Sequence, residues 1–315
     1  MLKKKNVEAI VHQGDFDYMD NPVLFDTKIS QILGPNFPYF ASIGNHDTLA
    51  WEGPKGYRAM FEKRLKRVKD KLGKKVVSCE GEFGVNAICN YKGLVIGLSG
   101  VGTYGTHHAE YMDHALKTFT SPWKICSFHK NQRLFQIGTK KDETGYEIYE
   151  TCRRHGALVV TGHLHQYART HMMKSYVNHE IAEKRGLMVL SPGRSLNILN
   201  GIGGKSISKG NSTLIANPWW ATVLDKDTNV NAAALICTFN INGDNRRAGC
   251  QLMDLNGNIW DEFRLLSNVH ILPPISKNAI TNEEDCSQDG STKTIVMPDS
   301  NVSLSSILKA FFPFP

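Results

Sequence analysis

No apolar run in this chain approaches the roughly eighteen residues of a membrane span, so no membrane partner is expected. The opening Met1-Leu2-Lys3-Lys4-Lys5-Asn6 lacks the apolar stretch of a signal peptide. The seven cysteines include no Cys-x-x-Cys pair, which excludes the common zinc-ribbon and thioredoxin patterns. No segment repeats at a fixed period. Neither sign of charge dominates: 37 basic and 30 acidic residues leave +7. That balance suits an anionic partner or ordinary solubility equally well. What is present is apolar material, 41% of 315 residues. This is enough for one sizeable core and too much for a disordered chain, and the length allows one large α/β domain or two small ones.

Four short apolar runs end in chemically similar residues. Ala9-Ile10-Val11 leads into His12-Gln13-Gly14-Asp15, and 37–43 leads into Gly44-Asn45-His46-Asp47. Residues 124–128 precede His129, and 157–160 precede Gly162-His163-Leu164-His165. Buried parallel strands that deliver side chains to one edge of a sheet have this form. Helical stretches, such as 21–33, lie between them, which points to a layered α/β fold. An amphipathic helix end is expected at 1–7. Strands at 76–79, 85–91 and 94–98 are expected to make a second sheet. Residues 232–240 and 250–254 form a hairpin around Asn242-Gly243-Asp244, with a last strand at 263–266. These elements define one domain over 1–267. From 268 to 315, Pro, Ser, Asn, Asp and Thr dominate, and a mostly disordered tail is expected.

The strand ends carry the chemistry. Glycine before a ligand residue lets the backbone turn sharply and approach a bound group. Carboxylate, amide oxygen, imidazole and phenolate together suit Zn, Mn or Fe more than calcium. One carboxylate can bridge two ions, and a two-metal clamp is a common solution for attack on phosphorus. A lone histidine at a strand end is more often structural, and a Gly-Asn-His-Asp segment is usually only a turn. All four in this order, each at a strand end, make a specific signal.

Together, Gly14-Asp15-Phe16-Asp17-Tyr18, Gly44-Asn45-His46-Asp47, His129 and Gly162-His163-Leu164-His165 resemble the motif series of the calcineurin-like metallophosphoesterases. Tyr18, three residues after Asp15, resembles the form found in the purple acid phosphatase branch. The resemblance covers about residues 1–266 and implies a β-sandwich flanked by helices with two metals at one edge. It implies that Asp15 bridges both ions, with Tyr18 and His165 on the first, a ferric iron in that branch. Asn45, His129 and His163 would bind the second, a zinc, manganese or ferrous ion. His46 would contact the phosphate and assist the leaving group, with Asp47 orienting it. The activity implied is hydrolysis of phosphate monoesters by a metal-bound hydroxide. The partner is then a phosphorylated small molecule, not a nucleic acid. The secretory pathway is implied if a longer form of the protein carries a signal peptide.

The family's first motif, an aspartate on a preceding strand, has no counterpart in this sequence. Glu8 lies seven residues from Asp15, about 23 Å at strand rise, and cannot replace it. The chain is therefore expected to lack the first strand of the fold and to hold its first ion weakly. The alternative function is a catalytically impaired, metal- and anion-binding remnant of such an enzyme.

Other signals weigh less. Gly201-Ile202-Gly203-Gly204-Lys205-Ser206 lacks the upstream glycine of a P-loop, since Leu199 stands there, and reads as a loop crossing the metal edge. Gly97 to Gly105 has no convincing acidic ribose ligand. The basic stretch from Arg58 to Lys75 reads as a solvated helix face. His107 and His108 are expected at the surface, and Trp219-Trp220 beneath the Gly201 loop. Two sequons, at Asn211 and Asn301, fit a secretory history but recur by chance. Cys237 and Cys250 lie symmetrically about the hairpin turn, where a disulfide and two half-buried thiols are equally compatible. The odd total leaves at least one free thiol.

Overall fold

A computed structural model describes residues 5–184 and 187–269. The strand-end logic sets the architecture. The first strand β1 (Ile10–His12) is followed by helix α1 (Pro22–Leu33), strand β2 (Tyr39–Ala41) and helix α2 (Tyr57–Leu72). Asn21 caps α1 by accepting from the Leu24 amide, with Pro22 at the first helical position. Then come β3 (Val77–Glu82), β4 (Asn86–Tyr91), β5 (Leu94–Ser99), α3 (His108–Thr118) and β6 (Lys124–Phe128). Next are α4 (Glu147–Arg154), β7 (Leu158–Thr161), β8 (Tyr167–Thr170), β9 (Met172–Ser175) and β10 (Glu180–Glu183). The series closes with β11 (Leu187–Leu190), β12 (Asn197–Asn200), α5 (Ser212–Ile215), β13 (Trp220–Leu224), β14 (Ala233–Phe239), β15 (Arg247–Asp254) and β16 (Ile259–Ser267).

The main sheet has eight strands in the order β13-β8-β12-β7-β6-β5-β4-β3. Its centre, β5, β6, β7 and β12, is parallel, and its flanks are antiparallel. A four-stranded sheet, β11-β16-β15-β14, and the parallel pair β1-β2 complete the strand layers, with a small β9-β10 hairpin outside them. The expectation that 76–79, 85–91 and 94–98 form a second sheet is corrected here. They are β3, β4 and β5 of the main sheet, joined to the parallel centre through β5 and β6. The second sheet comes instead from the C-terminal strands.

Alternation along the central strands separates two cores, as the two-residue period requires. Ile96, Leu98, Ile125, Leu158, Val160 and Ile198 face a core shared with β1, β2 and the four-stranded sheet. Val95, Cys126, Phe128, Val159 and Leu199 face the other way, onto a core that includes Met112 and Leu116 of α3 and Ile148 and Tyr149 of α4. A buried Arg169–Asp261 pair ties β8 to β16, with Nε–Oδ2 at 2.7 Å and the Tyr167 hydroxyl donating to the same oxygen. Helix α2 is basic, yet Arg64 is fully buried and donates to Asp26, Ser30 and the Gly34 carbonyl. The solvated-face reading therefore fails at that one residue.

Among the described residues there are three disulfides. Cys79–Cys89 joins β3 to β4, Cys126–Cys152 joins β6 to α4, and Cys237–Cys250 crosses the β14–β15 hairpin. The third resolves the open alternative in favour of a bridge. The seventh cysteine, Cys286, and the tail from 270 onward lie outside the described residues, as does most of the helix expected at 1–7.

Candidate metal centre

Strands β1, β2, β6 and β7 all release their chains at one edge, and the turns that follow are pressed together. Gly14 has φ +85°, and a Cβ there would stand 2.3 Å from the Gly44 nitrogen. A Cβ on Gly44 would stand equally close to the Asp15 nitrogen. Only glycine permits both the turn and the contact. Asp15, Tyr18 and His163 also have positive φ, an uncommon conformation for residues with a side chain.

Asp47 locks this arrangement. Its buried carboxylate accepts from the backbone amides of Gly44 (2.7 Å), Asp15 (2.7 Å) and Phe16 (2.9 Å). Burial and the nearby Asp15 charge push its pKa up to about 7, against the pull of the amides. The expected role of orienting His46 is not what the geometry shows: the carboxylate ties two turns together.

Around Asp15 the structure brings together Asn45, His129 and His163. His129 Nδ1 donates to the Gln13 carbonyl at 2.6 Å, which leaves Nε2 as a lone pair facing inward. That nitrogen lies 3.2 Å from Asp15 Oδ2, 3.0 Å from Asn45 Oδ1 and 3.0 Å from His163 Nδ1. Ligand atoms of Asp15, His129 and His163 fall within 4.8 Å of one another, and all three residues are buried. Burial opposes ionisation of Asp15, but His129, when it carries a proton on Nε2 in place of a cation, and the His46 amide (2.9 Å) hold it well below the usual carboxylate range. Lone pairs converging on an ionised carboxylate form a donor set that fits a borderline cation.

The residues behind His163 carry no local signal in the sequence. Its Nε2 lies 3.0 Å from Glu143 Oε2, 3.1 Å from Lys130 Nζ and 2.8 Å from Lys140 Nζ. Lys130 and Glu143 pair at 2.7 Å. Burial, then His129 and the two lysines, lower the His163 pKa to about 2, so the ring is neutral and carries one proton. A cation held at Nδ1 would leave that proton on Nε2, with Glu143 Oε2 to accept it.

On the other side of Asp15, the Tyr18 hydroxyl lies 3.4 Å from Asp15 Oδ2 and 3.1 Å from His165 Nε2. His165 Nδ1 donates to the Ser206 carbonyl at 3.1 Å, so the Gly201 segment does cross this edge. Burial and Asp15 raise the Tyr18 pKa, and a bound cation would reverse that influence. The His46 ring, exposed, lies 4.7 Å from the Tyr18 ring. Glu8 pairs with Lys92 away from the site. His108 is buried against Asn86 and Val85 rather than at the surface, while His107 is exposed; neither lines the cleft. Trp220 bonds to the Leu214 carbonyl in α5, and Trp219 stacks on His179.

A carboxylate shared by an imidazole-rich cluster and a phenol–imidazole pair lies at one edge of this layered α/β sandwich, a donor set able to hold a metal ion. The family model described as calcineurin-like phosphoesterase matches residues 1–167, and the chain belongs to that family. Its fold is similar to that of purple acid phosphatase PPD1 from yellow lupin (Lupinus luteus) seeds, with a TM-score of 0.59 at 15% identity. That likeness covers 84% of this chain and 47% of the lupin protein, so the chain spans about half of that protein's length. The likeness to PhoD is fainter, with a TM-score of 0.40 at 7% identity over 73% of this chain and 53% of that one. Comparison with curated proteins gives no significant match.

Proposed function

We propose that the chain is a binuclear metallophosphoesterase that hydrolyses phosphate monoesters. The observation that carries this reading is the sharing of Asp15 between two donor sets, one with Asn45, His129 and His163, the other with Tyr18 and His165. Zinc, manganese or ferrous iron suits the first of these sets, and ferric iron the phenolate-bearing one. When bound, the ions supply Lewis acidity and lower the pKa of water. The chain's own residues do the rest. Asp15 holds negative charge between the sets, Gln13 and Glu143 fix the imidazoles, and exposed His46 stands where it can protonate a leaving group. The three disulfides support maturation in an oxidising, secretory setting; among the described residues, no helix is long and apolar enough to cross a membrane.

The test is to load the chain with iron and zinc, measure bound metal and assay p-nitrophenyl phosphate. Hydrolysis that a chelator abolishes and added metal restores is expected. The Tyr18 side has three protein donors among the described residues, which favours a second reading, an impaired metal- and anion-binding relative. Bound metal without turnover would select it.

A further inference from the structure

The sequon at Asn211 takes no part in the metal centre, and the fold leaves it accessible. Asn211 is half-buried at the end of the segment that crosses the metal edge, while Ser212 and Thr213 are exposed. Its side chain puts its two polar atoms to different uses. Oδ1 accepts from the Leu214 amide at 3.1 Å and so caps α5. Nδ2 meets no acceptor among the described residues and is open to solvent. Replacing one hydrogen on Nδ2 therefore leaves the cap intact.

The backbone beneath this side chain is held in place. The Asn211 amide donates to the Ile137 carbonyl at 2.7 Å, and the Gly210 amide to Asp225 Oδ2 at 2.7 Å. Ser212, between the asparagine and Thr213, is not proline, and Thr213 supplies the hydroxyl that an N-glycosyl acceptor needs. The three disulfides support the secretory setting in which such transfer takes place. Resting on that secretory reading, we infer that Asn211 carries an N-linked glycan. Nδ2 forms a bond to the anomeric carbon of an oligosaccharide carried on a polyprenyl pyrophosphate. The bond from that carbon to the pyrophosphate oxygen breaks, its electron pair leaves with the pyrophosphate, and Nδ2 gives up one proton.

The position gives the glycan a task. The Ser208 amide donates to the His165 carbonyl at 2.9 Å. Asn211 follows three residues later, at most about 11 Å of chain. Lys209 lies exposed between them, and Lys205 and Ser206 lie exposed just upstream, in a stretch without helix or strand. Exposed polar segments of this kind are where proteases cut. A bulky, hydrated glycan rooted at Asn211 shields Lys209 and guards the segment on which His165 leans.

The experiment secretes the 315-residue chain behind a cleavable signal from a eukaryotic host, with Asn301→Gln silencing the other sequon. Enzymatic deglycosylation in heavy-oxygen water should convert Asn211 to labelled aspartate, read by peptide mass spectrometry. Thr213→Ala should abolish the label and Thr213→Ser should keep it; both leave the Asn211 cap in place. Trypsin should cut after Lys209 several-fold faster in Thr213→Ala than in the glycosylated chain. An unmodified Asn211 in secreted chain whose three disulfides have formed would overturn the inference, and equal cleavage rates would overturn the guarding role. Free thiols at those three pairs would instead overturn the secretory reading beneath it. The first readout comes from the chain with its own Asn211 and Thr213, so it does not depend on a variant that folds.

Discussion

The two sides of Asp15 use similar residue types and differ in how firmly those residues are held. On one side, Asn45, His129 and His163 come from three strand ends, and the Asp15, His129 and His163 side chains are buried. The outer nitrogen of each imidazole meets a carbonyl or a carboxylate. On the other side, Tyr18 and His165 bond to each other at 3.1 Å, and His165 leans on the crossing loop through Ser206. The difference is one of preorganisation: four donors, three of them buried, against three of which the shared Asp15 alone is buried. Affinity should follow that order, with the His129 side filling first in a metal titration.

Substitutions can break or sharpen this contrast. Asp15→Asn should have the largest effect, since it removes the carboxylate that both sides share. Metal analysis should show both ions lost, and turnover should fall by more than the ~10²–10³-fold cost of one transition-state donor. Retention of one tight ion would mean that the sides are independent. His46→Ala should lower turnover ~10²–10⁴-fold, the range of a general acid, while leaving metal content unchanged. Loss of an ion would move His46 into the ligand set.

Glu143→Gln should weaken the ion at His163 by ~10–100-fold, the usual cost of removing a ligand's outer partner. The Tyr18 side should keep its affinity, as read by competition with a graded chelator. The smallest effect belongs to Tyr18→Phe. It should bleach any visible tyrosinate–iron band of the iron-loaded chain and weaken only that side. An unchanged spectrum would remove Tyr18 from the ligands.

Much of this was legible in the sequence because the donors follow short apolar runs at glycine turns, and such runs predict buried parallel strands. What periodicity does not carry is the sheet that a strand joins. β3 to β5 read correctly as strands, yet their partner proved to be β6, on pairings set by tertiary packing. Lys130, Lys140 and Glu143 escaped notice for a different reason. Lys and Glu are ordinary surface types, and only the fold brings their loop against His163. Asp47 was singled out in its motif, but its amide partners lie 31 and 32 residues away for Phe16 and Asp15, beyond any local pattern. Arg64 and His108 show the same limit, because a charged or polar residue gives no local sign that tertiary partners will bury it.

The contact between Gly14 and Gly44 has a consequence for engineering. At the glycines the two turns meet backbone to backbone, and the Asp47 carboxylate that bonds to both turns fixes them there. Asp15 and Asn45 are therefore inherited as a unit, and trimming or enlarging some other residue cannot retune their separation. A graft of this centre onto another scaffold would have to carry both strand ends together. A library that randomises either glycine should return glycine, whatever metal or substrate is used for selection.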